Sequence, residues 1–225
     1  KENKTMANES TTGFGLRQAM RLGNTPAIGG QSKYKIKTAP GVGIFKNNPI
    51  SLQDGSGDQG YVQDASFSTT DDTGAGGVDY TTATEALLIG VFNGAFYIDS
   101  TTKKPTFANS VAASQAFGTN PNTGSTDGFA FVNDDPIQEY TVKADAAVTQ
   151  SMIGQVGNIN DFSATDAKDG QSTATLDVGS LAETKMFRVV RVAEDPKNED
   201  ATAAGCNVIA VMNGAANLFI NGRDS

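Results

Sequence analysis

The sequence predicts an all-β fold: two small barrel- or sandwich-like lobes behind an extended N-terminal arm, with little helix. Three observations carry this. Apolar runs of strand length recur at short spacing, with Gly, Pro, Asn and Asp between them. Ser32 to Thr38, SKYKIKT, alternates strictly, sending Tyr34 and Ile36 to one face and Lys33, Lys35 and Lys37 to the other. No heptad pattern and no repeat of solenoid period competes with these signals. The 225 residues divide into an arm (1–31), a first β-rich lobe (32–127) and a second, barrel-like lobe (128–225), with the polar loop Gly118 to Gly128 at the split.

Met6 reads as a natural start, and Lys1 to Thr5 as an upstream extension outside the fold. The arm is rich in glycine. Leu16 to Leu22 could wind for a turn or two, but Gly23 and Pro26 would stop it, so an extended arm is expected. Its apolar residues Phe14, Leu16, Met20, Leu22 and Ile28 need a surface to rest on. Arg17 and Arg21 accompany them. Residues 1–46 hold eight basic groups against two acidic ones, a local charge of +6. The rest holds nine basic and 23 acidic groups, a charge of −14, within a net −8. A basic arm of this kind can dock on an acidic surface, including that of a neighbouring copy.

In the first lobe, Pro40-Gly41 turns the chain after the alternating strand. Val42, Ile44 and Phe45 begin a second strand, Asn47-Asn48-Pro49 breaks it, and Ile50 to Leu52 resumes it. Asp54 to Gly60 is a loop, Tyr61-Val62 a short strand, and Ser68 to Gly77 a polar stretch. Glu85 to Asp99 carries two apolar runs flanking Asn93-Gly94. That pair predicts a type I′ turn and a β-hairpin, with Leu87, Ile89, Val91, Phe96 and Ile98 toward the core. Thr102 to Pro105 is a further turn. Phe107 to Phe117 reads as irregular, anchored by Val111 and Phe117.

In the second lobe, Phe129–Asn133 and Ile137–Lys143 are strands around the turn Asp134-Asp135-Pro136. A short helix enters at Thr149. Asn158 to Gln171 is long and polar. Ser172–Val178, Met186–Ala193 and Asn207–Asn213 are strands, Asp195 to Gly205 a solvated loop, and Leu218–Ile220 a terminal strand.

Composition narrows the chemistry. Apolar residues make up 38%, and the 25 glycines bring the chain near the usual globular range, so modest folded cores are expected. The chain has no histidine and one cysteine, Cys206. No disulfide can close within it, a zinc site lacks ligands, and no base stands ready to activate a nucleophile. Cys206 within GCNVIAV reads as a small buried hydrophobe. Gly41-x-Gly43 lacks the partners of a phosphate loop. Asp71-Asp72 and Asp134-Asp135 are turn formers rather than an acid and base pair. No catalytic, cofactor or metal residue is therefore assigned. The acidic body opposes phosphate, so no nucleic acid is expected as a partner. No apolar run approaches the roughly 20 residues that cross a membrane.

Five stretches carry a resemblance: Thr12 to Asn24, Lys33 to Leu52, Ala86 to Ser110, Phe129 to Val142 and Ser172 to Asp177. With these the chain resembles small structural proteins of the virions of marine tailed bacteriophages, and Lys33 to Leu52 is similar to capsid cement or decoration proteins. The resemblance implies a non-enzymatic protein, assembled in the host cytoplasm, that stabilises the outer surface of an icosahedral head. Its partners would be the major capsid protein and neighbouring copies of itself, in a homo-oligomer for which a trimer is favoured. A tail, neck or fibre-base component of the same virion is the alternative. A non-viral adhesion or glycan-binding module is a third reading. The arm residues Phe14, Leu16, Arg17, Met20, Arg21, Leu22 and Ile28 are the expected partner contacts.

Overall fold

A computed structural model describes residues 8–27, 29–53, 60–65, 88–160, 165–166, 169–183 and 185–221. Ile28, Leu87, Asp71-Asp72 and the stretches 1–7, 54–59 and 68–77 lie outside the described residues. The expected all-β class holds, and the described strands fall into open antiparallel sheets.

The first sheet has six strands in the order β2 (Ser32–Ile36), β9 (Gly128–Asn133), β6 (Leu88–Ile98), β4 (Pro49–Leu52) and β5 (Val62–Asp64), with β7 (Pro105–Ala108) paired to β6 beside β4. The second has five: β1 (Arg17–Arg21), β10 (Gln138–Lys143), β17 (Asn207–Met212), β16 (Phe187–Val192) and β11 (Val156–Gly157). Three short pairs complete the body. They are β3 (Ile44–Phe45) with β8 (Ser110–Val111), β12 (Ile159–Asn160) with β15 (Thr175–Leu176), and β13 (Thr165–Asp166) with β14 (Gln171–Ser172). Neither large sheet closes on itself, so the barrel-like form expected of the second lobe is replaced by an open sheet edged by β1 and β11.

β6 organises the first lobe, and it corrects an expectation. Asn93-Gly94 makes no hairpin. A type I′ turn needs positive φ at both central residues, and only Gly94 has it, at +146°. The chain runs straight through as one strand of 11 residues. Its register against β9 shifts between Phe92 and Gly94, which is a β-bulge. The extra residue lets Phe92 and Ala95, three positions apart, both enter the same core. The reversal comes later. Lys103 N–H donates to the Asp99 carbonyl at 3.0 Å, and Asp99 N–H donates to that of Lys104 at 3.0 Å. The Asp99 carboxylate also accepts from the Thr101 and Thr102 amides at 2.9 and 2.6 Å. β7 then returns along β6 with Phe107 opposite Phe96.

The lobe boundary also moves. β9 was expected to open the second lobe, but it pairs with β2 and β6. Its Ala130 and Val132 fill the first core with Ile36, Ile50, Ile89 and Phe92. Asp134-Asp135-Pro136 is therefore a crossover between sheets, because β10 pairs with β1 and β17. Tyr140 and Val142 of β10 enter the second core with Phe187, Val189 and Val208. Ala65, Leu88 and Val91 of the first lobe belong to that second core too, so the lobes abut. Residues 88–92 of β6 are consequently buried without alternation, the pattern of a strand covered on both faces.

Two smaller elements follow local chemistry. Gln150–Met152 forms a 3-10 turn with Thr149 at its N-cap, where a short helix was expected. Leu218–Ile220, expected as a strand, instead begins a helical turn, α1 (Leu218–Asn221). The Asn217 side-chain oxygen accepts the Phe219 and Ile220 amides at 2.8 and 3.1 Å, and that cap selects the helix.

Candidate functional site

The arm residues expected to meet a partner do not stand free. Asn8 anchors the start: its amide nitrogen donates to the carbonyls of Asp200 and Ala204 at 3.0 Å each, and its oxygen accepts the Asp200 N–H at 3.0 Å. Gly15 N–H donates to the Ala174 carbonyl at 3.0 Å, and Leu16 N–H to that of Asn47 at 2.9 Å. The arm thus straps both lobes at their junction. Leu16 is 1% exposed and belongs to the second core, so it is unavailable to a partner. β1 then extends the second sheet, with Arg17 opposite Thr141. Arg21 Nε lies 2.6 Å from the Asp135 carboxylate. The basic arm docks on the acidic body of its own chain. Met20 and Leu22 remain 48% exposed, with Ile137 at 40%. Leu22 N–H donates to the Ile137 carbonyl, which brings these side chains to one corner of the molecule.

A polar cavity of about 540 Å³ lies between the arm, β10 and the 195–207 loop. Phe14, Arg17, Lys143 and Asp195 are among its walls. The Arg17 guanidinium sits 4.0 Å from the centre of the Phe14 ring, and the Lys143 ammonium 5.6 Å from it. Lys143 is only 4% exposed. Its ammonium donates to Asn198 Oδ1 at 3.0 Å, and to the Gly205 carbonyl and Asn207 Oδ1 at 3.3 Å each. All three acceptors are neutral. Burial pushes the Lys143 ammonium pKa below its ordinary value; Asp195 opposes that shift and Arg17 adds to it. The Asp195 carboxylate is held low by the Lys197 backbone N–H, with Asn207 and Asn198 assisting.

A second feature is larger and was not legible as a site. The outer face of the first sheet carries a row in register across four strands: Lys35 on β2, Phe129 on β9, Phe96 on β6 and Phe107 on β7. Beside it runs a second row, Lys33, Phe131 and Gly94. Phe107 is 73% exposed and Phe129 37%. The Phe96 and Phe107 rings are 4.8 Å apart at 50°, and those of Phe107 and Phe131 are 6.3 Å apart and nearly parallel at 18°. Lys33 Nζ lies 5.9 Å from the Phe131 ring. Gly94, having no side chain, leaves a dip of about 250 Å³ bordered by Phe107 and Phe131. The second lobe covers β6 near Leu88 and Val91, and that cover ends where this row begins.

The rows come from separated segments, so aromatic and basic residues meet only through strand pairing. The available signal was the alternation in GFAFVN. It placed Phe129 and Phe131 on one face without saying which face is wet, since Ala130 and Val132 are apolar too.

No protein-family model, curated protein or solved structure matches the chain. Among the described residues, no group of three His, Cys, Asp or Glu is placed to hold a metal, and no helix is long and apolar enough to cross a membrane. Cys206 is fully buried, and that burial, with Asp200 nearby, pushes its thiol pKa up.

Proposed function

We propose that this chain is a non-enzymatic virion structural protein that decorates the outer surface of a tailed-phage capsid. The exposed Phe129–Phe96–Phe107 row with its lysine rim is the contact with capsid subunits. The observation behind this reading is Phe107, a phenylalanine left 73% exposed at the end of a row built by three successive strand pairings. A side chain of this size gains roughly 1.5–3 kcal/mol on full burial, and aromatic residues are enriched where proteins meet. The five stretches that resemble phage structural proteins supply the class of partner. Met20, Leu22 and Ile137 form a smaller apolar corner suited to a neighbouring copy, and a trimer about a local symmetry axis would repeat both contacts. Many modest contacts on a symmetric shell add through multivalency.

Replacing Phe107 and Phe129 together with serine tests this. Phe107 is largely exposed and Phe129 37% exposed, so the double variant should stay folded with a modestly lower thermal midpoint, while co-sedimentation with undecorated capsids, measured well below that midpoint, should fall at least tenfold. A double variant that binds shells as tightly as the parent overturns the assignment of the face. Copy number in purified particles tests the location: near parity with the major capsid protein places the chain on the head, and a few copies per particle places it in the tail.

A further inference from the structure

We propose that the cavity between the arm and β10 is a binding site for a small oxyanion of the phosphate class, with Arg17 and Lys143 supplying the charge. The proposal is independent of the attachment surface. Two cations line one cavity, and neither is neutralised by a carboxylate in contact. Lys143 is held by three neutral oxygens. Arg17 makes no ion pair among the described residues and rests on the Phe14 ring instead. A guanidinium over a ring keeps the in-plane fork of N–H donors that matches a phosphate or carboxylate edge.

The carboxylate in the cavity wall, Asp195, is already engaged, accepting from the Lys197 N–H at 3.1 Å and from Asn207 Nδ2 at 2.7 Å. Glu9, at the start of the arm, is paired with Lys197 at 3.2 Å. With Asp195 and Glu9 so committed, the cavity keeps an excess of one positive charge in a molecule of net −8. Thr12 of the arm and Thr141 of β10 also line the cavity and add hydroxyl-bearing side chains to its wall. An oxyanion there would relieve the repulsion between Arg17 and Lys143. It would also tie the arm to the second sheet, so binding should read out as stability.

The test is thermal unfolding of the full chain in rising sodium phosphate against sodium chloride at matched ionic strength. A dissociation constant on the order of 1 mM would raise the midpoint by roughly 3–6 °C at 10 mM phosphate. Arg17→Gln should abolish this phosphate-specific rise, and Arg17→Lys should restore part of it. Amide NMR shifts on titration should centre on Thr12, Phe14 and Thr141. If phosphate and chloride act alike on the parent, or if Arg17→Gln keeps the full rise, the site does not exist. Because Arg17 is exposed, its variants fold; Lys143, buried and bonded three times, is left unchanged.

Discussion

Gly90 in β6 has no room for a side chain. A Cβ there would collide with the Asn133 carbonyl oxygen and lie 2.7 Å from Val132 Cγ1. Gly90→Ala must therefore part β6 from β9, and a loss of about 3 kcal/mol or more is expected in denaturant unfolding. Gly94 is different: its Cβ would meet only the Ala108 carbonyl at 3.2 Å, but its φ of +146° resists any side chain. Gly94→Val should cost about 1–3 kcal/mol. A larger loss at position 94 than for Gly90→Ala would contradict this packing. The sequence marks both residues as glycine and gives no means of ranking them, because the atoms that decide lie on β9 and β7. Asp127 makes a pH prediction. Burial alone would raise its carboxyl, but hydrogen bonds from Ser125, Lys35 and Tyr61 outweigh that and hold its pKa below the ordinary value. A pKa lower in the folded than in the unfolded chain means that the unfolded chain binds more protons in the window between the two. The stabilisation is then complete above the unfolded value and is lost as pH falls through the folded one. Asp127→Asn should cost about 1 kcal/mol at neutral pH and flatten the acid limb of the stability curve; an acid limb parallel to the parent's would show that other carboxylates set it.

At the scale of the element, the arm departs furthest from expectation. Its composition showed correctly that it could not build a core of its own. It could not show that Leu16 completes a core made mostly of residues 140–216, because that contact is settled by Asn47 and Ala174 on two other segments. Leu16→Ala should cost about 2–5 kcal/mol, the range for a large aliphatic side chain removed from a packed interior. Removing residues 8–21 should do more, since β10 would lose its edge partner and the second core its lid. The truncated chain should bind a dye for exposed apolar surface and lose amide protection across β10. Full retention of that protection would make the strap dispensable. β2 behaved oppositely: the alternation of SKYKIKT gave the exposed Lys33 and Lys35 and the buried Ile36 directly, since a strand with one wet face is what a period of two encodes, while Lys37, past the end of β2, is half-buried. β6 departs from the expected hairpin because Asn-Gly serves a bulge as readily as a turn, and only the pairing partner distinguishes them.

For the whole molecule, the abutting cores and the shared strap imply cooperativity. Leu88 and Val91 of the first sheet pack with Tyr140 and Phe187 of the second lobe, so neither lobe can open without exposing the other. A single calorimetric transition is expected, with a ratio of calorimetric to van 't Hoff enthalpy near one; a ratio near two would mean lobes that melt separately. The all-β class and most strand positions could be read from apolar runs and turn residues. Sheet membership could not, as β9 and β10 show: adjacent in sequence, they serve different sheets through a four-residue crossover, 134–137. The strap's place in that architecture also fixes an order in time. β1 leaves the ribosome well before its partner β10, which lies about 120 residues downstream, and β17, which β10 also needs, comes later still. At typical elongation rates of about 5–20 residues per second, the strap waits on the order of 10–40 s for its seat to be synthesised. Through that interval Phe14, Leu16, Met20 and Leu22 are unsheltered on a nascent chain, and a strand translated long before β10 and β17 finds its place only after both.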